Sequence, residues 1–454
     1  MDLTVRKPLL ISTLLLTSFG FASPWILGVV AENQFNTELA DIKSESEYGD
    51  LTISNATFER GYLGSKASLN LTLDDASGEI PSFSILIESD LTHVPVTSGE
   101  FGVLVFEVYS KDSVTLVDAP EEVKKFVAEQ LGGTLLSGYS HANVMGNYDS
   151  VLSSPEFKFT SEEENLAIDL APIKISAQGN VGGSFSNFTV SIPTSSINTA
   201  DFSAQLSDIT GHAEMEEHSS GLELGESGMN IGQLTVNSEK GGATFTNMSI
   251  AAISQIVNNK VNTNIVYNIE AVNSPLPLTS ASYDIDLNGF TLESAGLMDN
   301  LQEHLENIDP ESFTNDEYFN ELLEATFQPG LQLNQEMKIN AFGGDWLANL
   351  DIEFNGLEGV ELSELADPKV GVKAISAQML IKADSNAILQ SPAANMIDPL
   401  MQQGFIKLED GSLVSVASLM DGKLTLNEQD IPVEPLINAL LAKIEEAQQE
   451  TAAN

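Results

Sequence analysis

The chain has 454 residues, of which 42% are hydrophobic, and this length predicts two or three packed units rather than one core. Its 66 acidic residues against 19 basic ones give a formal net charge of -47, and Coulomb repulsion on this scale excludes nucleic acid as a partner. The absence of cysteine excludes disulfides, thiolate nucleophiles, iron–sulfur clusters and cysteine-based zinc sites.

The chain begins with a basic pair followed by a long uncharged stretch. Arg6 and Lys7 precede residues 8–31, which are rich in Leu, Ile, Phe and Val. A helix over this stretch would be roughly 36 Å long, enough to cross a hydrocarbon core of about 30 Å. Because basic flanks stay on the cytoplasmic side, we expect a single crossing that places the body outside the cytoplasm.

Residues 1–31 fit two kinds of segment, a cleaved signal peptide and an uncleaved membrane anchor. The apolar region of a signal peptide spans about 7–15 residues and ends in small residues. Small residues at Gly20-Phe21-Ala22 and Val29-Val30-Ala31 offer two weak cleavage sites. The apolar stretch continues past the first of them through residues 25–27, and this length favours the uncleaved anchor.

Most of the chain after residue 31 alternates apolar and polar residues with a period of two. A β-strand places successive side chains on opposite faces, so each such segment predicts a strand with one apolar and one polar face. The pattern favours antiparallel sheets, because parallel strands covered on both sides are apolar throughout. One segment, residues 103–109, is mostly apolar without alternation, and it predicts a central strand instead. The clearest alternating segments have apolar positions at Leu69, Leu71 and Leu73; Ile265, Tyr267 and Ile269; Tyr283, Ile285 and Leu287; and Leu333, Met337 and Ile339.

A few helices are predicted between the strands. Val123, Phe126, Val127 and Leu131 form one apolar stripe, with Pro120 near its start and Gly132 at its end. Together the elements predict an α+β fold that is predominantly β, with long antiparallel amphipathic strands in large curved sheets. Further apolar stripes predict helices over Leu297, Met298, Leu301 and Leu305, over Tyr318, Phe319, Leu322 and Leu323, and from Pro435 over Leu436, Leu440 and Ile444.

The best break in the strand pattern is the segment 273–278, where two prolines interrupt any ladder of hydrogen bonds. The sequence therefore predicts a membrane anchor or signal segment at 1–31 and a first β-rich half at 32–272. A second β-rich half at 273–454 ends in the C-terminal helix.

The densest cluster of metal-ligand residue types is His212, Glu214, Glu216 and His218. On one strand these side chains share a face, but the first and last lie about 20 Å apart at ~3.3 Å per residue. Ligands must meet within about 2–2.5 Å of one ion, so the four cannot form a single site. The cluster is predicted to be a solvated polar face.

No recognisable catalytic motif accompanies the five histidines, His93, His141, His212, His218 and His304. The chain also lacks the G-x-S-x-G elbow, the phosphate-binding P-loop and the dinucleotide-binding glycine fingerprint. We therefore predict no catalytic, cofactor-binding or metal-binding residues, and we expect the protein not to be an enzyme.

Two motifs resemble a known family. Phe58-Glu-Arg-Gly-Tyr-Leu-Gly-Ser65, soon after the apolar stretch, resembles the opening element of the YdgA-like family, and Gly422-Lys-Leu-Thr-Leu-Asn427 is similar to the strand that closes its domain. Glu428 stands where the family often has glycine. The resemblance implies a bacterial protein of the inner membrane with a long β-rich periplasmic portion, and it supplies no catalytic residues. For Arg60-Gly61 we expect a bulge whose guanidinium binds a carboxylate or carbonyl.

Three functions remain open at this point. The first is a non-catalytic structural or interaction protein of the envelope, tethered through residues 8–31, with another envelope protein or a lipid as its partner. The second is a carrier of lipid or another hydrophobic ligand, and the third is a hydrolase with an unrecognised site. The discriminating observation is whether apolar rows such as Tyr283, Ile285 and Leu287 are covered or open.

Overall fold

The computed structural model describes residues 51–437, except 74–81, 94–95, 100, 106, 144–146, 162–164, 181–184, 240, 274–276, 300, 302–303, 305–316, 361, 366 and 436. It also describes six helical residues near the N-terminus, namely Val29, Ala31, Glu32, Phe35, Asn36 and Leu39. The predicted anchor, apart from Val29 and Ala31, and most of the predicted C-terminal helix lie outside these residues. No helix among the described residues is both long and apolar enough to cross a membrane.

The chain is mainly β, with few helices and large antiparallel sheets, as the alternating pattern predicted. Contacts divide it into two compact units, Met1–Gly242 and Ala243–Asn454. The domain boundary between residues 272 and 273 was expected from the sequence and stays a prediction.

The sheet of the first unit follows the chain as a meander, in the order β1-β2-β3-β6-β7-β8-β11-β12-β13-β14. β10 pairs with the end of β12 and β9 with β10, while β4 and β5 form a separate ribbon. The strands are β1 (Leu51–Arg60), β2 (Gly64–Leu73), β3 (Phe83–Thr92), β4 (Val96–Gly99), β5 (Gly102–Val105), β6 (Val108–Asp118), β7 (Thr134–Ala142), β8 (Asn147–Ser153), β9 (Phe157–Ser161), β10 (Leu166–Leu170), β11 (Lys174–Asn180), β12 (Phe185–Asn198), β13 (Phe202–Glu217) and β14 (Glu223–Ser238).

The sheet of the second unit has the order β15-β16-β18-β19-β20-β21-β23-β24-β25, again antiparallel throughout. β17 pairs with β15, and β22 with β23. The strands are β15 (Gly241–Val257), β16 (Lys260–Ile269), β17 (Ala271–Asn273), β18 (Leu278–Thr291), β19 (Leu331–Ala341), β20 (Gly344–Phe354), β21 (Ile375–Asp384), β22 (Lys407–Glu409), β23 (Ser412–Met420), β24 (Lys423–Leu426) and β25 (Gln429–Ile431).

The helices are short and lie against the sheets. The first was predicted from its stripe, and it begins after Pro120 and ends at Gly132, whose φ of 66° is the left-handed conformation that glycine adopts readily. The predicted helix over Tyr318–Leu323 is also confirmed. The helices are α1 (Glu121–Leu131), α2 (Leu292–Asp299), α3 (Glu317–Thr326), α4 (Leu362–Leu365), α5 (Pro368–Gly371), α6 (Ser385–Leu389) and α7 (Ala394–Gln402).

The central strand predicted over residues 103–109 is wrong. The run is divided between the β4–β5 ribbon and the start of β6, and Val103 is 71% exposed. An apolar run shows that side chains avoid water but not that the chain continues straight, and here it leaves the sheet between β3 and β6.

Two-residue turns connect many strands of the second unit. Both central residues of these turns have positive φ, the geometry whose twist matches the flanking strands. Asp-Gly supplies two of them, which is the residue pair that this turn prefers. Within the described residues the turns are Asn258-Asn259, Phe342-Gly343, Asp410-Gly411, Asp421-Gly422 and Asn427-Glu428.

Glu428 is the unfavourable residue of the last turn. Its φ is 70°, a conformation that costs a residue with a Cβ about 1 kcal/mol and glycine very little. We expect Glu428→Gly to raise the free energy of unfolding by about 1 kcal/mol, measured by urea denaturation. Glu428→Ala removes the charge but keeps the Cβ, so it should give little gain. Equal stabilisation by both variants would attribute the effect to charge and not to the backbone.

Candidate functional site

The predicted cluster of metal-ligand types lies along β13 and beyond its end. His212, Glu214 and Glu216 are exposed on one face, and His218 follows the strand, where its Nδ1 lies 2.9 Å from the Ser220 hydroxyl. In the described part of the chain, no three His, Asp or Glu side chains converge in a way that could hold an ion. The strand keeps these side chains apart, as the spacing argument required.

One histidine, His93, has a buried polar partner in the first unit's sheet. The Ser65 hydroxyl lies 3.0 Å from Nε2 of His93, a contact of the kind that nucleophilic catalysis uses. Both residues are buried, with exposures of 5% and 0%, so a substrate has no path to this hydroxyl. The contact connects the start of β2 to the residue that follows β3.

His141 lies between two carboxylates on the opposite side of the same sheet. Its Nδ1 is 2.9 Å from Oε2 of Glu107, and its Nε2 is 3.1 Å from Oδ2 of Asp149. The ring of Phe101 packs on the imidazole with centroids 4.4 Å apart. The imidazole therefore connects three chain segments, namely the one before β6, β7 and β8.

The motif at residues 58–65, which resembles the YdgA-like family, contacts the N-terminal helical residues. Nη1 of Arg60 donates to Oε2 of Glu32 at 2.8 Å, which confirms the expected carboxylate partner. The expected bulge at Arg60-Gly61 is wrong, because Arg60 pairs regularly with Ser65 and the register of β1 shifts between Ser54 and Thr57. The Phe58 and Phe35 rings lie 5.6 Å apart. Gly61 is required because a Cβ there would come within 2.5 Å of the Gly64 carbonyl oxygen, which accepts the Gly61 N–H. The motif therefore holds the segment that follows the apolar N-terminal stretch.

Phe35 belongs to the main hydrophobic core of the first unit. It is 3% exposed and contacts the inward face of β2, β3 and β6. The buried residues of this core are Phe35, Ala67, Leu69, Leu71, Ile87, Leu91, Val108 and Val114.

A carboxylate is buried on the inward face of β6, beside this core. Oδ1 of Asp112 accepts hydrogen bonds from Ser89, at 2.6 Å, and from Ser110, while Oδ2 accepts one from Ser140. The Ser150 hydroxyl extends the cluster at 3.0 Å from that of Ser140. Burial raises the pKa of Asp112, and the three hydroxyl donors only partly oppose this effect.

The second unit presents a largely apolar sheet face from β16 to β21, here called the apolar face. Gln335 is a polar residue within it, paired with Ile285 and Leu350. The pairing register aligns its side chains in four rows that cross the strands, because directly paired residues point to the same side. The rows are Leu287, Leu333, Ile352 and Ala377; Ile265, Ile285, Gln335, Leu350 and Met379; Tyr267, Tyr283, Met337, Ala348 and Ile381; and Ile269, Ala281, Ile339, Trp346 and Ala383.

Helices cover the two ends of the apolar face. At one end, Ile388 of α6 is buried with Ala383 and Leu413, and Trp346, Ile397 and Ile406 pack against this cluster. At the other end, α2 and α3 contact β18, and the Phe327 ring packs on Phe354 with centroids 5.7 Å apart. Each outer row therefore has a partly closed, core-like environment.

The two middle rows lie between these covered ends, and we call them the open strip. Tyr267, Met337 and Ile381 are 42%, 40% and 43% exposed. The rings of Tyr267 and Tyr283 stack with centroids 6.2 Å apart. With strands ~4.8 Å apart, the five strands from β16 to β21 make the strip about 19 Å long. It is an extended apolar surface and not a filled core.

The opposite face of this sheet is polar. Asn264 donates from Nδ2 to both Asp284, at 2.6 Å, and Asp286, at 2.9 Å. An open groove of ≈ 570 Å³ crosses β16, β18, β19 and β20. It is lined by residues of both faces, including Ser282 and Lys338 of the polar face and Ile339 and Trp346 of the apolar face, but by no histidine. Lys338 is paired with Glu336. These groups contact one another and form no nucleophile–base pair.

The alternation in the sequence identified Tyr283, Ile285 and Leu287 of the apolar face, but it did not show which of its rows are covered. It also missed Asp112, although a charged residue at an inward position of β6, between Val108 and Val114, was a usable signal.

Comparisons with known proteins identify the family but no activity. Residues 6–434 match the family model described as a bacterial protein of unknown function (DUF945). No curated protein and no solved structure matches the chain. Since the match covers nearly the whole sequence, the chain belongs to this family of bacterial proteins of unknown function.

Proposed function

We propose that this protein is tethered to the bacterial inner membrane through residues 8–31 and binds a lipid or similar apolar ligand along the open strip, without catalysing a reaction. The proposal rests on one observation: the apolar side chains of Tyr267, Met337 and Ile381 are exposed to solvent in the middle of the apolar face. Contiguous apolar surface on this scale usually marks an interaction site in a soluble domain.

The dimensions and side chains of the open strip suit an acyl chain. Its length of about 19 Å exceeds the ~15 Å that one leaflet of a 30 Å hydrocarbon core provides for a chain. Methionine is flexible and polarisable, so Met337 and Met379 can follow an irregular ligand. A bound chain would remove roughly 25 cal/mol of unfavourable hydration free energy per Å² of apolar surface that it covers.

The proposed location is supported by the N-terminal sequence and by the motifs at residues 58–65 and 422–427. The basic pair Arg6-Lys7 before the uncharged stretch predicts a cytoplasmic N-terminus, which would place the body in the periplasm. The resemblance of both motifs to the YdgA-like family supports the same location. A lipid ligand is consistent with a protein held beside a membrane.

A charge placed in the open strip tests the proposal. We expect Ile381→Asp to reduce the lipid that copurifies with the full-length chain at least tenfold, because an acyl chain would have to desolvate the carboxylate. The measurement is native mass spectrometry of the protein released from mild detergent, with lipid extraction to quantify the ligand. Ile381 is exposed, so the variant should fold.

The matched control is Val416→Asp, which places the same charge at a residue 46% exposed in β23 of the same sheet. Val416 pairs with Leu380 and not with Ile381, so it points to the opposite face. It should retain wild-type amounts of lipid. A different result would contradict lipid binding: the wild type carries no lipid, another envelope protein copurifies with it, and Ile381→Asp abolishes that association. The open strip would then be a protein-interaction surface.

A further inference from the structure

One end of the first unit exposes three large apolar side chains. Tyr62 and Leu63, in the loop between β1 and β2, are 66% and 54% exposed, and Val103 in the β4–β5 ribbon is 71% exposed. The apolar stripes of the adjoining strands are buried in the core, so these residues are not an extension of it. Their exposure needs a separate explanation.

The β1–β2 loop and the ribbon leave the sheet at the same end. β2 starts at Gly64, which pairs with Thr92, the last residue of β3. Thr92 also pairs with Tyr109, near the start of β6, so the ribbon between β3 and β6 is attached beside the loop. The N–H of His93 donates to the Leu63 carbonyl oxygen at 3.1 Å, which fixes the loop backbone while the Leu63 side chain remains exposed.

The described N-terminal helical residues approach this same end. Along β1, Phe58 contacts Phe35 and Arg60 contacts Glu32, so the helical residues run antiparallel to β1. Lower residue numbers therefore lie closer to the β1–β2 loop. Ala31, the last residue of the apolar stretch, is fully buried and directly precedes Glu32.

We propose that this end of the first unit rests on the outer surface of the membrane, with Tyr62, Leu63 and Val103 inserted at the boundary between headgroups and acyl chains. The inference rests on the proposed membrane tether. Tyrosine is favoured at this depth because its ring is apolar and its hydroxyl remains hydrated. A second contact of this kind would fix the orientation of the body, which one spanning helix alone would leave free to tilt.

Local charges are compatible with this contact despite the overall charge of -47. The carboxylate of Glu32, which lies nearest the apolar stretch, is paired with the guanidinium of Arg60. Pairing reduces the repulsion that isolated carboxylates would feel from anionic headgroups.

The absence of cysteine allows site-specific labelling to test the contact. Leu63→Cys and Val103→Cys in the full-length chain would each carry an environment-sensitive fluorophore. Val117→Cys is the matched control, because Val117 is 45% exposed at the far end of β6. The chains are reconstituted into vesicles of phosphatidylethanolamine and phosphatidylglycerol that contain spin-labelled lipid. We expect at least threefold quenching at residues 63 and 103 and none at residue 117.

Flotation of the vesicles separates the two ways in which the proposal can fail. Chains that float with the vesicles but show no quenching at residues 63 and 103 would overturn the surface contact and leave the tether intact. Chains that do not float would overturn the tether and the contact together. Equal quenching at all three positions would also contradict the inference, because it would show no preferred end.

Discussion

Replacing Phe35 by alanine is expected to lower the free energy of unfolding of the first unit by about 3–5 kcal/mol. The side chain is 3% exposed and contacts Phe58 and the core of β2, β3 and β6. Its removal loses the transfer free energy of the ring and leaves a cavity that the paired strands cannot close. Because Phe35 joins the N-terminal helical residues to the sheet, the same change should loosen the connection between the tether and the body.

The measurement is thermal unfolding of the full-length chain in lipid nanodiscs, followed by circular dichroism. For a unit of this size, the loss corresponds to a decrease in Tm of about 10 °C. Asn36→Ala is the control, because Asn36 is the next residue and is exposed. If both variants unfolded at the wild-type temperature, the helical residues would contribute nothing to the core.

Replacing Asp112 by alanine is expected to lower the free energy of unfolding by about 2–3 kcal/mol at low pH. The hydroxyls of Ser89, Ser110 and Ser140 would lose their acceptor in a buried site. Urea denaturation measures the loss. Asp90→Ala, at a solvent-exposed carboxylate of β3, should be nearly neutral by comparison.

The effect of Asp112 on stability should depend on pH with a definite sign. Burial raises its pKa in the folded chain above the value in the unfolded chain, so the folded state binds the proton more tightly. The contribution of Asp112 to stability is therefore complete below the unfolded pKa of about 3.9 and decreases as the pH rises through the folded pKa.

Asp112→Asn removes this titration and keeps an acceptor oxygen. The stability of this variant relative to wild type should therefore increase as the pH is raised from 4 to 8. A difference that stayed constant, or that decreased with pH, would show that the folded chain does not raise the pKa of Asp112.

Local residue patterns determined the elements of this fold. The alternation in residues 265–269 and 281–287 requires extended chain, because only a strand separates successive side chains onto two faces. Asp410-Gly411 and Asp421-Gly422 fit turns in which both residues have positive φ. Pro120 and Gly132 bounded α1 for equally local reasons. Each of these outcomes depends on neighbours within a few residues along the chain.

Only the tertiary structure decided what each apolar face contacts. Alternation alone shows that Leu69 and Met337 both lie on an apolar face, yet Leu69 is 1% exposed in a core and Met337 is 40% exposed in the open strip. The difference arises because residues distant in sequence, such as Phe35 for Leu69, cover one face and leave the other open. The burial of Asp112, the pairing of Arg60 with Glu32 and the shared end of the β1–β2 loop and the ribbon depend in the same way on contacts that no local pattern encodes.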